Sequence, residues 1–104
     1  MPKYDLASVR AAAQLGKIYT RGLKVDRDIR NLGYDDNDVI NCITQLSPAD
    51  FKKTIMRDDQ PDDDEYITRF KKDSDPDTPT DELYVKFSMK GENVVISLGS
   101  FHLS

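Results

Sequence analysis

Arg69 and Lys71 stand two residues apart in Glu65-Tyr66-Ile67-Thr68-Arg69-Phe70-Lys71, and Tyr84 and Lys86 stand two apart in Leu83-Tyr84-Val85-Lys86-Phe87-Ser88-Met89. In an extended chain that spacing puts both side chains of a pair on one face. Leu83, Val85, Phe87 and Met89 claim the opposite face for packing, so Tyr84 and Lys86 must point away from the core. If the strand register joins the two segments, Arg69, Lys71, Tyr84 and Lys86 form a basic surface with an aromatic ring in it. Such a surface suits a phosphodiester and a stacked base. The plainer reading is a solvated sheet face, and on pattern alone it stands first.

His102 is the only histidine, in the tail Gly99-Ser100-Phe101-His102-Leu103-Ser104. It is either a general acid near neutral pH or a surface histidine on a frayed terminus. Phe101 and Leu103 on either side imply that the tail packs down. Cys42 lies in an apolar helical stripe with no histidine or aspartate pattern near it and reads as a buried structural thiol. Asp73-Ser74-Asp75-Pro76-Asp77 is similar to the start of a calcium loop, but Thr78 stands where such a loop needs glycine and Tyr84 where it needs glutamate. Asp62-Asp63-Asp64-Glu65 could hold Mg²⁺, but a solvated charge run is the better reading. No metal or cofactor is expected.

The elements that must carry these groups follow from length and pattern. A chain of 104 residues is expected to form one domain over 1–104 and to bury roughly 60–70% of its unfolded surface. One cysteine excludes a disulfide scaffold and a cysteine-rich zinc site. There is no apolar run of membrane-spanning length, and Met1 to Arg10 does not read as a signal peptide, so a cytoplasmic protein is expected.

The net charge of −4 argues at first sight against a nucleic-acid partner. It is unevenly spread. Asp58 to Glu82 holds eleven acids and three bases, while the other 79 residues hold eight acids and twelve bases. An acidic insert sits in a mildly basic frame. Seven of those bases (Lys3, Arg10, Lys17, Arg21, Lys24, Arg27 and Arg30) lie in the N-terminal stretch and are expected to be exposed.

Asp5 is a plausible N-cap for a helix through Leu6-Ala7-Ser8-Val9-Arg10-Ala11-Ala12-Ala13-Gln14-Leu15, stopped by Gly16. Lys17 to Arg21 reads as an extended link. Val25, Ile29 and Leu32 mark a second helix ending at Gly33, and Asp35 or Asp36 caps a third with Val39, Ile40, Ile43 and Leu46 as its stripe. Ser47-Pro48-Ala49-Asp50 is a capping arrangement that restarts the chain, with Phe51 and Ile55 expected to face the core. Strands follow at Glu65–Lys71 and Leu83–Met89, then a turn at Gly91-Glu92 and a return through Val94–Leu98. The two acidic, proline-bearing segments are expected to be strand-linking loops. Helices first and an antiparallel sheet after them argue an α+β fold, with N-terminal helices packed on a small sheet.

Leu46-Ser47-Pro48-Ala49-Asp50-Phe51-Lys52-Lys53 resembles the L-S-x-x-D-F-x-K segment of the MqsR-type (motility quorum-sensing regulator) toxins. The order around it is similar too: a helix, a short link, a helix carrying Asp38-Val39-Ile40-Asn41-Cys42, this segment, then strands. Leu83-Tyr84-Val85-Lys86-Phe87 resembles the family's V-Y-L-K strand, and the return through Val94–Leu98 falls where its last strand does. The resemblance spans nearly the whole chain and rests on the order and spacing of these motifs.

That resemblance implies a RelE-like fold and a toxin of a type II toxin–antitoxin pair that cuts mRNA without a metal. It implies that Lys53 and Tyr84 are catalytic. A family glutamine aligns with Glu65 and a family lysine with Gly99, so this chain departs from the pattern at two places. Metal-free cleavage by the substrate's own 2′-OH needs a base, an acid and cations for the phosphorane. Glu65 could be the base and His102 the acid, with Lys53 and Arg69 on the phosphate and Tyr84 orienting it. Lys52, Arg57, Lys71 and Lys86 are expected to bind RNA. The expected partners are mRNA, free or on the ribosome, and a cognate antitoxin with a helix-turn-helix DNA-binding part. The alternative is a RelE/ParE-like toxin or binding module that acts on a protein such as gyrase without cleaving RNA. Convergence of Lys53, Tyr84 and His102 on one surface would favour the enzyme.

Overall fold

The computed structural model describes residues 2–104. Helix α1 (Leu6–Gln14) opens on Asp5, whose carboxylate accepts from the Ser8 N–H, and it buries Val9, Ala12 and Ala13. Helix α2 (Leu23–Asn31) buries Val25. Helix α3 (Asp36–Thr44) starts in a reciprocal capping box, with Asp35 accepting from the Asp38 N–H and Asp38 from the Asp35 N–H. It buries Val39, Cys42 and Ile43.

The strands are β1 (Ile18–Thr20), β2 (Phe51–Ile55), β3 (Asp63–Phe70), β4 (Asp81–Lys90) and β5 (Val95–Leu103). They form one sheet in the order β1-β5-β4-β3-β2, parallel between β1 and β5 and antiparallel elsewhere. The fold is α+β, helices then sheet, as the pattern predicts. The core lies between the helices and one sheet face, where Leu83, Val85, Phe87 and Met89 meet Ile96, Leu98 and Phe101. Tyr66 stacks on Phe87 with centroids 5.7 Å apart, and Phe51 meets Tyr66 edge-on. Cys42 is buried, and burial pushes its thiol up to about 12, in keeping with a structural role.

Three stretches differ from expectation. The supposed link at Lys17–Arg21 contains β1, whose Ile18, Tyr19 and Thr20 align with Ile96, Ser97 and Leu98; three residues are too few for alternation to show. After Ser47 the capping contacts do form, the Asp50 carboxylate accepting from the Ser47 N–H at 3.0 Å, but they open only one 3₁₀ turn at Pro48–Asp50. The chain then runs extended as β2, because β3 offers it a ladder. Phe51 packs on the core as expected. Ile55 does not: it pairs with Asp63 on the other face.

The third correction concerns Asp62-Asp63-Asp64-Glu65, which is not a solvated run. Asp63 and Asp64 are 1% and 0% exposed and begin β3. The Asp64 carboxylate accepts from the N–H groups of Lys3 and Tyr4 and from the Thr54 hydroxyl, pinning the segment before α1 to the sheet. Asp62 takes the Lys3 ammonium and the Arg57 N–H. Buried carboxylates persist only with such partners.

Candidate active site

The sheet face away from the helices carries the polar side chains of each strand. Lys53, Glu65, Lys86 and Ser100 stand side by side in one row across β2, β3, β4 and β5. Ile67, Tyr84 and His102 form the next row, and Arg69 lies opposite Glu82 in the one beyond. Lys53, Tyr84 and His102 are therefore on one face.

Two bulges decide which side chains arrive there. In β2 the register shifts between Phe51 and Lys53, so that Phe51 opposes Tyr66 while Lys53, not Lys52, opposes Glu65. In β5 it shifts so that Lys86 opposes Ser100 and Phe87 opposes Leu98, with Gly99 as the extra residue. An unbulged strand would turn Leu98 outward and Ser97 into the core.

At the centre the Tyr84 hydroxyl donates to Glu65 Oε2 at 2.6 Å. Burial first, and then the hydrogen bond to Glu65 and its negative charge, push the Tyr84 pKa up to about 12. Near neutral pH the phenol is thus a donor and Glu65 its acceptor, with Oε1 making no hydrogen bond among the described residues. The His102 ring stacks on the Tyr84 ring, centroids 5.1 Å apart and planes within 12°. His102 Nδ1 lies 2.8 Å from the Leu103 carbonyl oxygen. A carbonyl only accepts, so Nδ1 carries its proton and Nε2 is the nitrogen left for exchange. β5 extends through this residue, so His102 is not on a frayed tail.

Lys53, Arg69 and Lys86 make no ion pair among the described residues. Lys71 lies just past the end of β3, outside the ladder that aligns Arg69, Tyr84 and Lys86. Lys52 is exposed beside the β2 bulge. Arg57 turns back to Asp63, with Nη1 3.4 Å from Oδ2.

Five of the seven N-terminal bases, Lys3, Lys17, Lys24, Arg27 and Arg30, are exposed as expected, whereas Arg10 and Arg21 are half-buried. Lys3 pairs with Asp62, Lys24 with Asp28, and Arg10 donates to the Leu46 carbonyl. Arg21 crosses the outer sheet face, where it meets Asp63, Ser88 and Ser97. Sequence reasoning missed this cluster, because nothing local in the chain ties Arg21 to residues 42, 67 and 76 positions away. The one available signal was the pair of small polar residues, Ser88 and Ser97, inside strands otherwise rich in large side chains. Nor do the acids of β3 lie apart from the site: Asp63 and Glu65 share its face.

No curated protein matches the chain. The family model described as motility quorum-sensing regulator, toxin of MqsA, matches residues 1–100. A match over nearly the full length, joined to helices before a five-stranded sheet, settles the kinship that the Leu46–Lys53 and Leu83–Phe87 motifs point to: the chain belongs to this family of toxins.

Proposed function

We propose that the protein is the toxin of a type II pair and arrests growth as a metal-independent endoribonuclease acting on mRNA, free or on the ribosome. The observation that carries this reading is the Tyr84–Glu65 hydrogen bond with His102 stacked on Tyr84, flanked in the adjoining row by Lys53 and Lys86. It brings an acceptor, a donor, an exchangeable imidazole and cations to one strip of sheet, the set that transesterification of RNA requires.

In this mechanism Glu65 Oε1 takes the proton of the ribose 2′-OH. The 2′-oxygen forms its bond to phosphorus as the bond from phosphorus to the 5′-oxygen breaks. His102, as imidazolium, gives the Nε2 proton to that leaving oxygen. The products are a 2′,3′-cyclic phosphate and a 5′-OH. Lys53, with Arg69 further along the strand face, offsets the charge on the phosphorane, and Tyr84 orients the phosphate while it holds Glu65. Lys52, Arg57, Lys71 and Lys86 give the strand a basic path, read by phosphate contact and so largely without sequence preference. The cognate antitoxin, with a helix-turn-helix part, would bind this chain and repress their shared promoter.

The test is a defined mRNA incubated with purified protein in EDTA, with the ends mapped. Cuts that leave 2′,3′-cyclic phosphate and 5′-OH ends are expected. Intact RNA from a preparation that still arrests growth on expression would overturn the reading and point to a protein target. Lys53→Ala and Tyr84→Phe are each expected to abolish toxicity in cells while the protein still accumulates.

A further inference from the structure

The Arg21 guanidinium is fastened to three strands at once. Nε donates to Ser97 Oγ at 2.9 Å, Nη2 to Asp63 Oδ1 at 2.6 Å, and Nη1 to Asp63 Oδ2 at 3.0 Å. Nη2 also lies 3.1 Å from Ser88 Oγ and 2.9 Å from the Ser97 carbonyl oxygen. A planar cation held in this way loses little freedom on meeting an anion. Nη1 retains a second N–H.

Its seat is the bulge residue Gly99. A Cβ there would stand 2.6 Å from Arg21 Nη1, 3.0 Å from Cζ and 3.4 Å from Lys86 Cε. The bare backbone therefore makes room for the guanidinium, and Arg21 and Lys86 meet over one point in front of β5. The charges there do not balance. Asp63 is the single carboxylate for both Arg21 and Arg57, and Lys86 adds a third cation. Lys86 also neighbours Glu65, opposite it in the ladder.

We propose that Arg21 is a phosphate-binding residue, contacting through Nη1 a phosphodiester oxygen of the RNA next to the bond that is cut, with Lys86 on the same phosphate. This rests on the ribonuclease reading. Asp63, Ser88 and Ser97 are its positioning residues, and Gly99 is the space it needs. Four of the five N–H bonds of Arg21 hold it in place, leaving one for the substrate.

The test uses a fully 2′-O-methylated oligoribonucleotide, which cannot be cut, for binding, and an unmodified transcript for cleavage. Arg21→Gln keeps an amide nitrogen where Nε donates to Ser97, and Arg57 still faces Asp63, so it is expected to fold. It should bind more weakly irrespective of sequence, with the salt slope of log K reduced by about 0.7, the share of one phosphate contact on a single strand. Cleavage should fall with it. Arg21→Ala combined with Gly99→Lys grows an ammonium from the other side of the same space and should recover slope and cleavage. A purely structural Arg21 would not be replaced in that way, since the lysine cannot make the fork to Asp63. Wild type that cuts RNA while folded Arg21→Gln keeps the full slope and rate overturns the assignment and leaves the ribonuclease intact. Failure of the double variant, folded, to recover either quantity also overturns it. Wild type that neither binds nor cuts RNA overturns both.

Discussion

Around neutral pH the Tyr84 phenol keeps its proton, since its pKa is pushed up to about 12. It therefore cannot serve as the base that opens RNA cleavage, and the carboxylate it donates to is the group free to do so. Two consequences are measurable. Glu65→Gln should lower the rate by ~10²–10⁴ with RNA binding retained, because it removes an acceptor and not a cation. It should also bring the Tyr84 pKa down toward the ordinary 10.0, since the anionic acceptor is one of the causes that raise it; the difference in ultraviolet titration between proteins with and without Tyr84→Phe reads this directly. Full activity in Glu65→Gln would remove Glu65 from the mechanism. For His102, replacement by Ala should cost a similar factor, while a folded, fully active variant would strip the imidazole of its role as acid. Tyr84 and Lys86 were legible as residues because a strict alternation set them against Leu83 and Val85. Lys53 was singled out by the family motif alone, since the β2 bulge that selects it over Lys52 leaves no mark in composition.

Elements were readable to the degree that their signals were local. The caps at Asp5 and Asp35 lie three residues from the N–H groups they satisfy. Alternation in β4 runs over the seven residues Leu83–Met89. β1 and β2 failed for one shared reason: each is a short edge strand whose conformation comes from a neighbour in the sheet. Asp63 and Asp64 failed differently, because their partners lie far away in the chain, and a run of carboxylates without visible partners looks solvated. Asp64 is the clearest test of what that tertiary pairing is worth. Asp64→Ala would leave two backbone N–H groups and the Thr54 hydroxyl without their acceptor. The loss should reach ~1–3 kcal/mol, the cost of leaving a buried polar group unsatisfied, measured by urea unfolding. Amide exchange of the first residues should rise to that of a free chain end. A loss below about 1 kcal/mol, the value of an ordinary surface contact, would mean that the N-terminal segment is not held by this carboxylate.

Across the whole molecule the charge of −4 is a poor guide to what the surface presents. Asp64 is spent inside, and Asp73 and Asp75 fold their own loop by accepting from the N–H groups two residues on. The outer sheet face keeps Arg21, Lys53, Arg57, Arg69 and Lys86 against Asp63, Glu65 and Glu82. The phenols tie the fold to pH in the opposite sense from the acids. Tyr4, Tyr34, Tyr66 and Tyr84 are all raised, with burial the first cause in each, and Tyr66 and Tyr84 reach about 12. Cys42 moves the same way, from 9.0 to about 12. A group whose folded pKa lies above its unfolded value holds its proton more tightly in the native state. Its contribution is complete below the unfolded pKa and is lost as pH rises through the folded one. Stability should therefore be level up to about pH 9, the ordinary thiol value, and fall steeply between pH 10 and 12, the span from the ordinary phenol to the raised ones. Tyr19 shifts the other way, lowered chiefly by the Lys90 ammonium at 2.8 Å, and should ionise before the protein unfolds. Thermal melts across this range, followed beside phenolate absorbance, give both steps. Phenolate from one tyrosine should appear first, without loss of structure, and the others should appear together with unfolding. Gradual ionisation of all five tyrosines in a protein that stays folded would show that the sheet and helices do not enclose these rings as tightly as their burial indicates.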